Sequence, residues 1–178
     1  MRIPQTVNAD YENWSNFLES QVEFSWKGSE KHTKAHCARV LLYALLIADK
    51  MALPAKERDA LCAAAVFHDS RRLDDWYDVG HGKRAAAYYR DFCAGGSLPY
   101  DPRTATIMAY HDLDDTLGEV ALNHLDNGIL LYRIFKDADG LDRYRLSPDA
   151  LDVSMLRTKE GRSLTDFAKR LVSEQSPL

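Results

Sequence analysis

The chain has 178 residues, 46% apolar and 28% charged, with a formal net charge of -4, which is ordinary composition for one compact globular domain with a substantial core. The acidic balance, with no Lys/Arg-rich block, argues against a nucleic-acid polymer or an anionic membrane as main partner, while a small phosphorylated substrate needs only one local cationic cluster. The apolar run VLLYALLIA at 40–48 is far short of the roughly 20 residues of a membrane span. The start MRIPQTVNADYENW has no basic segment followed by an apolar one, so a cytoplasmic protein is expected.

Helical punctuation is frequent and period-two alternation almost absent, so the expected class is all-α. The amino-terminal segment carries Trp14, Phe17, Leu18 and Phe24. Gly28-Ser29 then offers a start for a helix over about 30–50, whose His36, Val40, Tyr43, Ala44 and Ile47 share one face. Leu53-Pro54 breaks the chain and opens a helix over about 54–69. Its eight consecutive apolar residues ALCAAAVF, 60–67, predict a central post wrapped on nearly all sides. A helix over about 81–94 stops at Gly95-Gly96, and Asp101-Pro102 caps one ending near His111-Asp112. A fifth is expected at about 118–138, a short one from Ser147-Pro148 and a last one at 163–174. With neither repeats nor a linker, residues 1–178 read as one domain, with a motif-bearing core at about 30–145 and the helices of 147–174 packed on it. Cys37, Cys62 and Cys93 are widely spaced among apolar residues and read as buried thiols.

Metal binding needs several side chains converging from different elements. His36 stands on an apolar face, His68-Asp69 ends the post, and Asp137-Ala138-Asp139 ends the fifth helix, where carboxylates oppose the helix dipole and call for a compensating cation. Imidazole and carboxylate together suit Mn²⁺, Fe²⁺, Zn²⁺, Ni²⁺ or Co²⁺ and place Mg²⁺ lower.

HCARV at 36–40, FHDSRR at 67–72 and DADGLDRYR at 137–145 resemble the HD-domain superfamily of metal-dependent phosphohydrolases, with its H…HD…D series across a helical bundle. The resemblance implies His36, His68, Asp69 and Asp139 as metal ligands, Asp139 being preferred to Asp137 for its A-D-x-L context. It also implies attack on phosphorus by a metal-activated water. Asp74, Asp75 and Asp78 are candidate proton acceptors beside Asp69, with Asp78 foremost because it lies three residues before His81. His81 and His111 fit either contact with substrate phosphate, the preferred reading, or ligation of a second ion. Arg72 and Lys83 are candidate phosphate contacts, Arg84 is read as surface, and Trp76 and Tyr77 as packing or a cap on the cleft. Related guanosine-polyphosphate hydrolases carry an acidic pair soon after HD and related deoxynucleotidases a Glu three residues after its aspartate; Arg72 stands at that place here, which disfavours both, and the absent GYP extension disfavours cyclic di-GMP. Two other functions remain open on the same residues, an HD-fold diiron oxygenase and a non-catalytic ligand-sensing module.

Overall fold

The computed structural model describes residues 3–29 and 31–175. Its described residues are 66% helical and contain no strand, and none of their helices is long and apolar enough to cross a membrane. The chain runs through α1 (Gln5–Gln21), α2 (Lys34–Lys50), α3 (Ala55–Phe67), α4 (His81–Ala94), α5 (Pro102–Tyr110), α6 (Asp115–Leu122), α7 (Gly128–Leu141), α8 (Lys159–Arg162) and α9 (Thr165–Gln175). Two 3-10 turns, Asp142–Arg145 and Val153–Met155, lie between α7 and α8.

The apolar runs dictate the core. Residues 40–48 of α2 and 60–67 of α3 are buried on every side, and α3 packs against α1, α2, α4, α5 and α7. It is the expected central post, and its last residues therefore emerge among five helices rather than into solvent. Three caps set where neighbouring helices begin. Thr33 accepts a hydrogen bond from the His36 amide at the start of α2, and Asp101 accepts from the Arg103 amide at the start of α5, each satisfying a free amide of the first turn. Gly80, at φ +90°, turns the chain into α4 in a conformation costly for any residue with a side chain.

Two expectations need correction, and the amino-terminal segment adds an element. The amino-terminal segment is a full helix, α1, which buries Val7 and Leu18 and stacks Phe17 edge-on against Phe67 and Phe92 at 6.0 and 5.6 Å. The helix expected over 118–138 is two helices: Asn127 adopts φ 55°, and a Cβ on Gly128 would stand 2.6 Å from the Leu122 carbonyl oxygen, so the chain turns sharply there. Ser147-Pro148 opens a turn closed by the Ala150 amide on the Ser147 carbonyl at 3.1 Å, and no α-helix follows it directly.

The segment after α7 is held by one carboxylate. Asp137, fully buried, accepts from the Arg157 amide, the Thr158 amide and the Thr158 hydroxyl, each at 2.7 Å. That clamp fixes residues 146–158 across the end of α7, where they form one wall of the cleft described next.

Candidate metal centre

His36, His68, Asp69, His81 and His111, brought by α2, α3, α4 and α5, converge in the interior, each no more than about 6% exposed. Three of the four imidazoles sit at helix ends: His68 closes α3, His81 opens α4 and His111 closes α5. Each of these three uses Nδ1 in the same way. His68 Nδ1 donates to the Ala65 carbonyl at 2.8 Å, His81 Nδ1 to the Asp78 carbonyl at 2.7 Å, and His111 Nδ1 to the Met108 carbonyl at 2.7 Å. His36 Nδ1 donates instead to the Asp142 carboxylate at 2.7 Å, and Arg39 in turn grips that carboxylate at 2.6 and 3.0 Å. Since carbonyl and carboxylate oxygens only accept, every Nδ1 carries the proton and every neutral ring turns an Nε2 lone pair inward.

These lone pairs face one another. His36 Nε2 and His68 Nε2 are 3.2 Å apart, and Asp69 Oδ2 lies 3.4 and 3.7 Å from them. Asp139 Oδ1 stands 3.3 Å from His36 Nε2 and 4.0 Å from His68 Nε2. Ligand atoms about 2.1 Å from a first-row ion stand about 3.0 Å apart at right angles and about 3.4 Å apart at tetrahedral angles, so this tetrad has the spacing of a coordination shell. The other carboxylate oxygen serves a second group: Asp69 Oδ1 lies 3.1 Å from His81 Nε2 and 3.8 Å from His111 Nε2, which are themselves 3.0 Å apart. The triads His36–His68–Asp69 and Asp69–His81–His111 could each hold a metal ion. Two unprotonated nitrogens at such distances repel unless a cation or a proton lies between them, so the donor set fits a metal and is poorly served by side chains alone.

The electrostatics agree. Burial and the neighbouring His36 and His111 rings push His68 down to about 4, against the pull of Asp69, so its lone pair persists far into acid. Burial opposes charge on His36 and His111 as well, but Asp139 and Asp142 around the first and Asp69 beside the second outweigh it and raise both. Asp69 is held well below the carboxylate range, its burial overcome by the rings around it. The interior thus favours carboxylates already ionised for a cation.

The tetrad opens into a cleft of about 550 Å³ through Asp139, whose side chain is one-third exposed. Five cations line it, Arg72, Lys136, Arg143, Arg145 and Arg157, facing an aliphatic wall that includes Leu151, Met155 and Leu156. Part of this charge is already engaged: Lys136 pairs with Asp115 at 3.1 Å, and Arg157 with Asp115 at 2.5 Å and Asp137 at 3.4 Å.

The structure brings His36, His68, Asp69, Asp139, His81, His111 and Arg72 together, and leaves Asp78 and Lys83 outside. The Asp78 carboxylate is clamped by Arg84 Nη2 at 2.6 Å to both oxygens and by the Leu73 amide at 2.7 Å. It shapes the 71–80 loop and is not placed as a proton acceptor, and Arg84 is its partner rather than a merely solvated side chain. Lys83 is exposed on the outer side of α4 and does not line the cleft. Asp74 caps the Trp76 amide at 2.8 Å, and Asp75 engages Ser29 and His32. Trp76 and Tyr77 are exposed, 80% and 92%, and do not line the cleft; Lys31 lies 5.4 Å over the Trp76 ring. Asp137 is spent on the 157–158 clamp, and of the two carboxylates it is Asp139 that faces the histidines. Sequence reasoning passed over Asp142, the cleft arginines 143, 145 and 157, and Asp112. Asp112 accepts from the Gly80 amide at 2.8 Å through Oδ2, and its buried Oδ1 has no hydrogen-bond partner. The run DADGLDRYR held a signal for Asp142, a carboxylate one turn beyond Asp139. Comparison of the chain with protein-family models, with curated proteins and with solved structures returns no match.

Proposed function

We propose that the protein is a metal-dependent phosphohydrolase of the HD type, acting on a small phosphorylated substrate. The observation that carries this reading is the buried His36, His68 and Asp69 with one-third-exposed Asp139 beside them, at the base of a cleft rimmed by arginine and lysine. The H…HD…D order of those same residues supports it. His36, His68, Asp69 and Asp139 would hold the ion, which when bound supplies charge neutralisation on phosphoryl oxygens and activation of a water. The protein's own part is to orient the ligands through the fixed Nδ1 bonds, to keep the carboxylates ionised, and to seat the phosphate. Arg72 Nη1 lies 3.2 Å from the His81 ring nitrogens and 3.7 Å from Asp69 Oδ1, beside the reacting end of the cleft. Arg143, exposed, and Arg145, half-buried, lie further out on the turn after Asp142 and suit a second anionic group of the substrate.

One observation supports a second reading. Asp69 offers Oδ2 to the first histidine pair and Oδ1 to the second, the disposition a diiron oxygenase needs for a bridging carboxylate. Metal-free protein reconstituted separately with Mn²⁺, Fe²⁺, Co²⁺, Ni²⁺, Zn²⁺ and Mg²⁺ tests both, with phosphate release measured from phosphomonoesters, nucleotides, pyrophosphates and cyclic nucleotides. Release that is lost in Asp139→Ala is the expected result. Oxygen consumption by the iron form, with no phosphate release from any class, would overturn the hydrolase.

A further inference from the structure

We propose that the substrate is a short aliphatic phosphate ester bearing a second anionic group, a carboxylate or another phosphate, rather than a nucleotide. The proposal rests on the phosphohydrolase reading of the same site and adds to it what the outer part of the cleft selects.

Of the five cations that line the cleft, three are already spent. Lys136 Nζ gives its donors to the His111 and Leu113 carbonyls at 2.8 and 3.2 Å and to Asp115 at 3.1 Å. Arg157 turns Nε and Nη2 to Asp115, and Nη1 to Asp137 and the Met155 carbonyl. Arg72 donates through Nε and Nη2 to the Asp74 and Trp76 carbonyls, which holds Nη1 over the His81 ring. Arg143 and Arg145 differ. Arg143 Nε donates to the Ala150 carbonyl at 2.9 Å; Arg145 donates through Nε to the Lys31 carbonyl at 3.0 Å and through Nη1 to the Asp142 carbonyl at 3.2 Å. Among the described residues, neither Nη of Arg143 and not Nη2 of Arg145 has an acceptor. Each guanidinium is thus tethered to backbone oxygen along one edge and keeps donors for a carboxylate or phosphate.

The two anions must lie close together. Arg145 Nη1 stands 3.6 Å from Asp142 Oδ2, and that oxygen holds His36 Nδ1 at 2.7 Å. One carboxylate therefore separates this guanidinium from His36, and a spacer of a few carbon atoms suffices. The rest of the wall suits such a spacer. Leu146 and Met155 line the cleft yet are 48% and 63% exposed, and apolar surface open to water gains when hydrocarbon covers it. Among the described residues the lining holds no Ser, Thr, Tyr, Asn or Gln, and its only rings are imidazoles. Bases stack on aromatic faces and are read, like ribose, through hydrogen bonds. Here a base would have to compete with the ion and the anions for imidazole and guanidinium planes. Hydrolysis would break the ester P–O bond, the hydroxyl of water going to phosphorus and its proton to the departing alkoxide. The products would be inorganic phosphate and a hydroxylated aliphatic anion.

The test compares kcat/KM of the Mn²⁺-loaded protein for the phosphate ester of hydroxypropanoate, propanediol bisphosphate, propyl phosphate, and adenosine mono- and diphosphate. At least one two-anion ester is expected to exceed propyl phosphate by about 10- to 150-fold, the worth of one hydrogen bond to a charged group, and to exceed both nucleotides. Whether the carboxylate or the bisphosphate leads identifies the second anion. Arg143→Met, at an exposed position, should bring the ratio of that ester to propyl phosphate down towards unity. Calorimetric binding of phosphonobutanoate against butylphosphonate, whose P–C bonds water does not cleave, reads the same preference without turnover. Phosphate release that favours the nucleotides, no advantage for a second anion, or an unchanged ratio in Arg143→Met would overturn the proposal and leave the hydrolase standing. Release from none of the compounds, with phosphonobutanoate bound in preference to butylphosphonate, would overturn the hydrolase and keep the ligand class. Neither release nor preferential binding would overturn both.

Discussion

Replacing Asp142 with asparagine separates the support of the metal centre from its ligands. Asp142 is fully buried and spends both oxygens, Oδ2 on His36 Nδ1 at 2.7 Å and Oδ1 and Oδ2 on Arg39 at 2.6 and 3.0 Å. An asparagine has one acceptor oxygen, so if it serves His36 its amide N–H groups face the guanidinium, and if it serves Arg39 they face the ring N–H. Breaking a buried pair costs about 3 to 5 kcal/mol. Arg39 keeps partial access to water, with a side chain 14% exposed, which lowers the expected loss to about 2 to 4 kcal/mol, a large part of a typical total of about 5 to 15 kcal/mol. The ring of His36 also loses the partner that fixes its tautomer, and metal affinity should fall about 10- to 100-fold. Denaturant unfolding of the metal-free form reads the first quantity and competition with a chromophoric chelator the second. Arg39→Met is the control: it leaves His36 its acceptor, so it should lose stability while keeping most metal affinity. Wild-type affinity in folded Asp142→Asn would refute the claim that this carboxylate orients His36.

Asp139→Ala should abolish tight metal binding with the helical signal unchanged, whereas Asp137→Ala should keep the ion and lose about 2 to 4 kcal/mol of stability by freeing the 157–158 clamp, both read by dialysis and circular dichroism. Gly82→Ala would place a Cβ 2.2 Å from the Met108 carbonyl oxygen; forcing α4 off α5 should cost about 1 to 3 kcal/mol or more, and an unchanged unfolding midpoint would contradict that close approach. In the metal-free protein His68 is held at about 4 against an ordinary 6.5. The unfolded chain therefore takes up a proton before the folded one does, and stability falls as pH drops through that window. The total is about 3 kcal/mol at about 1.4 kcal/mol per unit, and His68→Asn should flatten this part of the profile.

What could be read from the sequence was whatever a contiguous pattern encodes. ALCAAAVF placed α3 at the centre, and the ordered histidines and aspartates picked out side chains that converge at its end, because an apolar run carrying a terminal His-Asp pair constrains both burial and direction. The turn of a loop side chain carries no such pattern: Asp78 lies close to the ligands along the chain, yet Arg84 draws its carboxylate away. The break between α6 and α7 was marked by Asp-Asn-Gly at 126–128, but the apolar residues on either side keep a helical period, and the turn was hidden by it. Arg157 reaches the cleft only because Asp137 pulls its backbone there, a tertiary event with no local signature. Asp142 was written one turn past Asp139, but its value depends on which face of the 3-10 turn meets α2.

The anchoring of His36 by Asp142 spans 106 positions of the chain, and the tetrad itself draws on α2, the end of α3 and the end of α7. A ribosome-bound nascent chain would thus display His36, His68 and Asp69 long before Asp139 is translated, and until then those side chains form an incomplete chelate. On the proposed function, acquisition of an ion would wait on completion of the helical core, and the finished fold would gain stability from the ion by mass action.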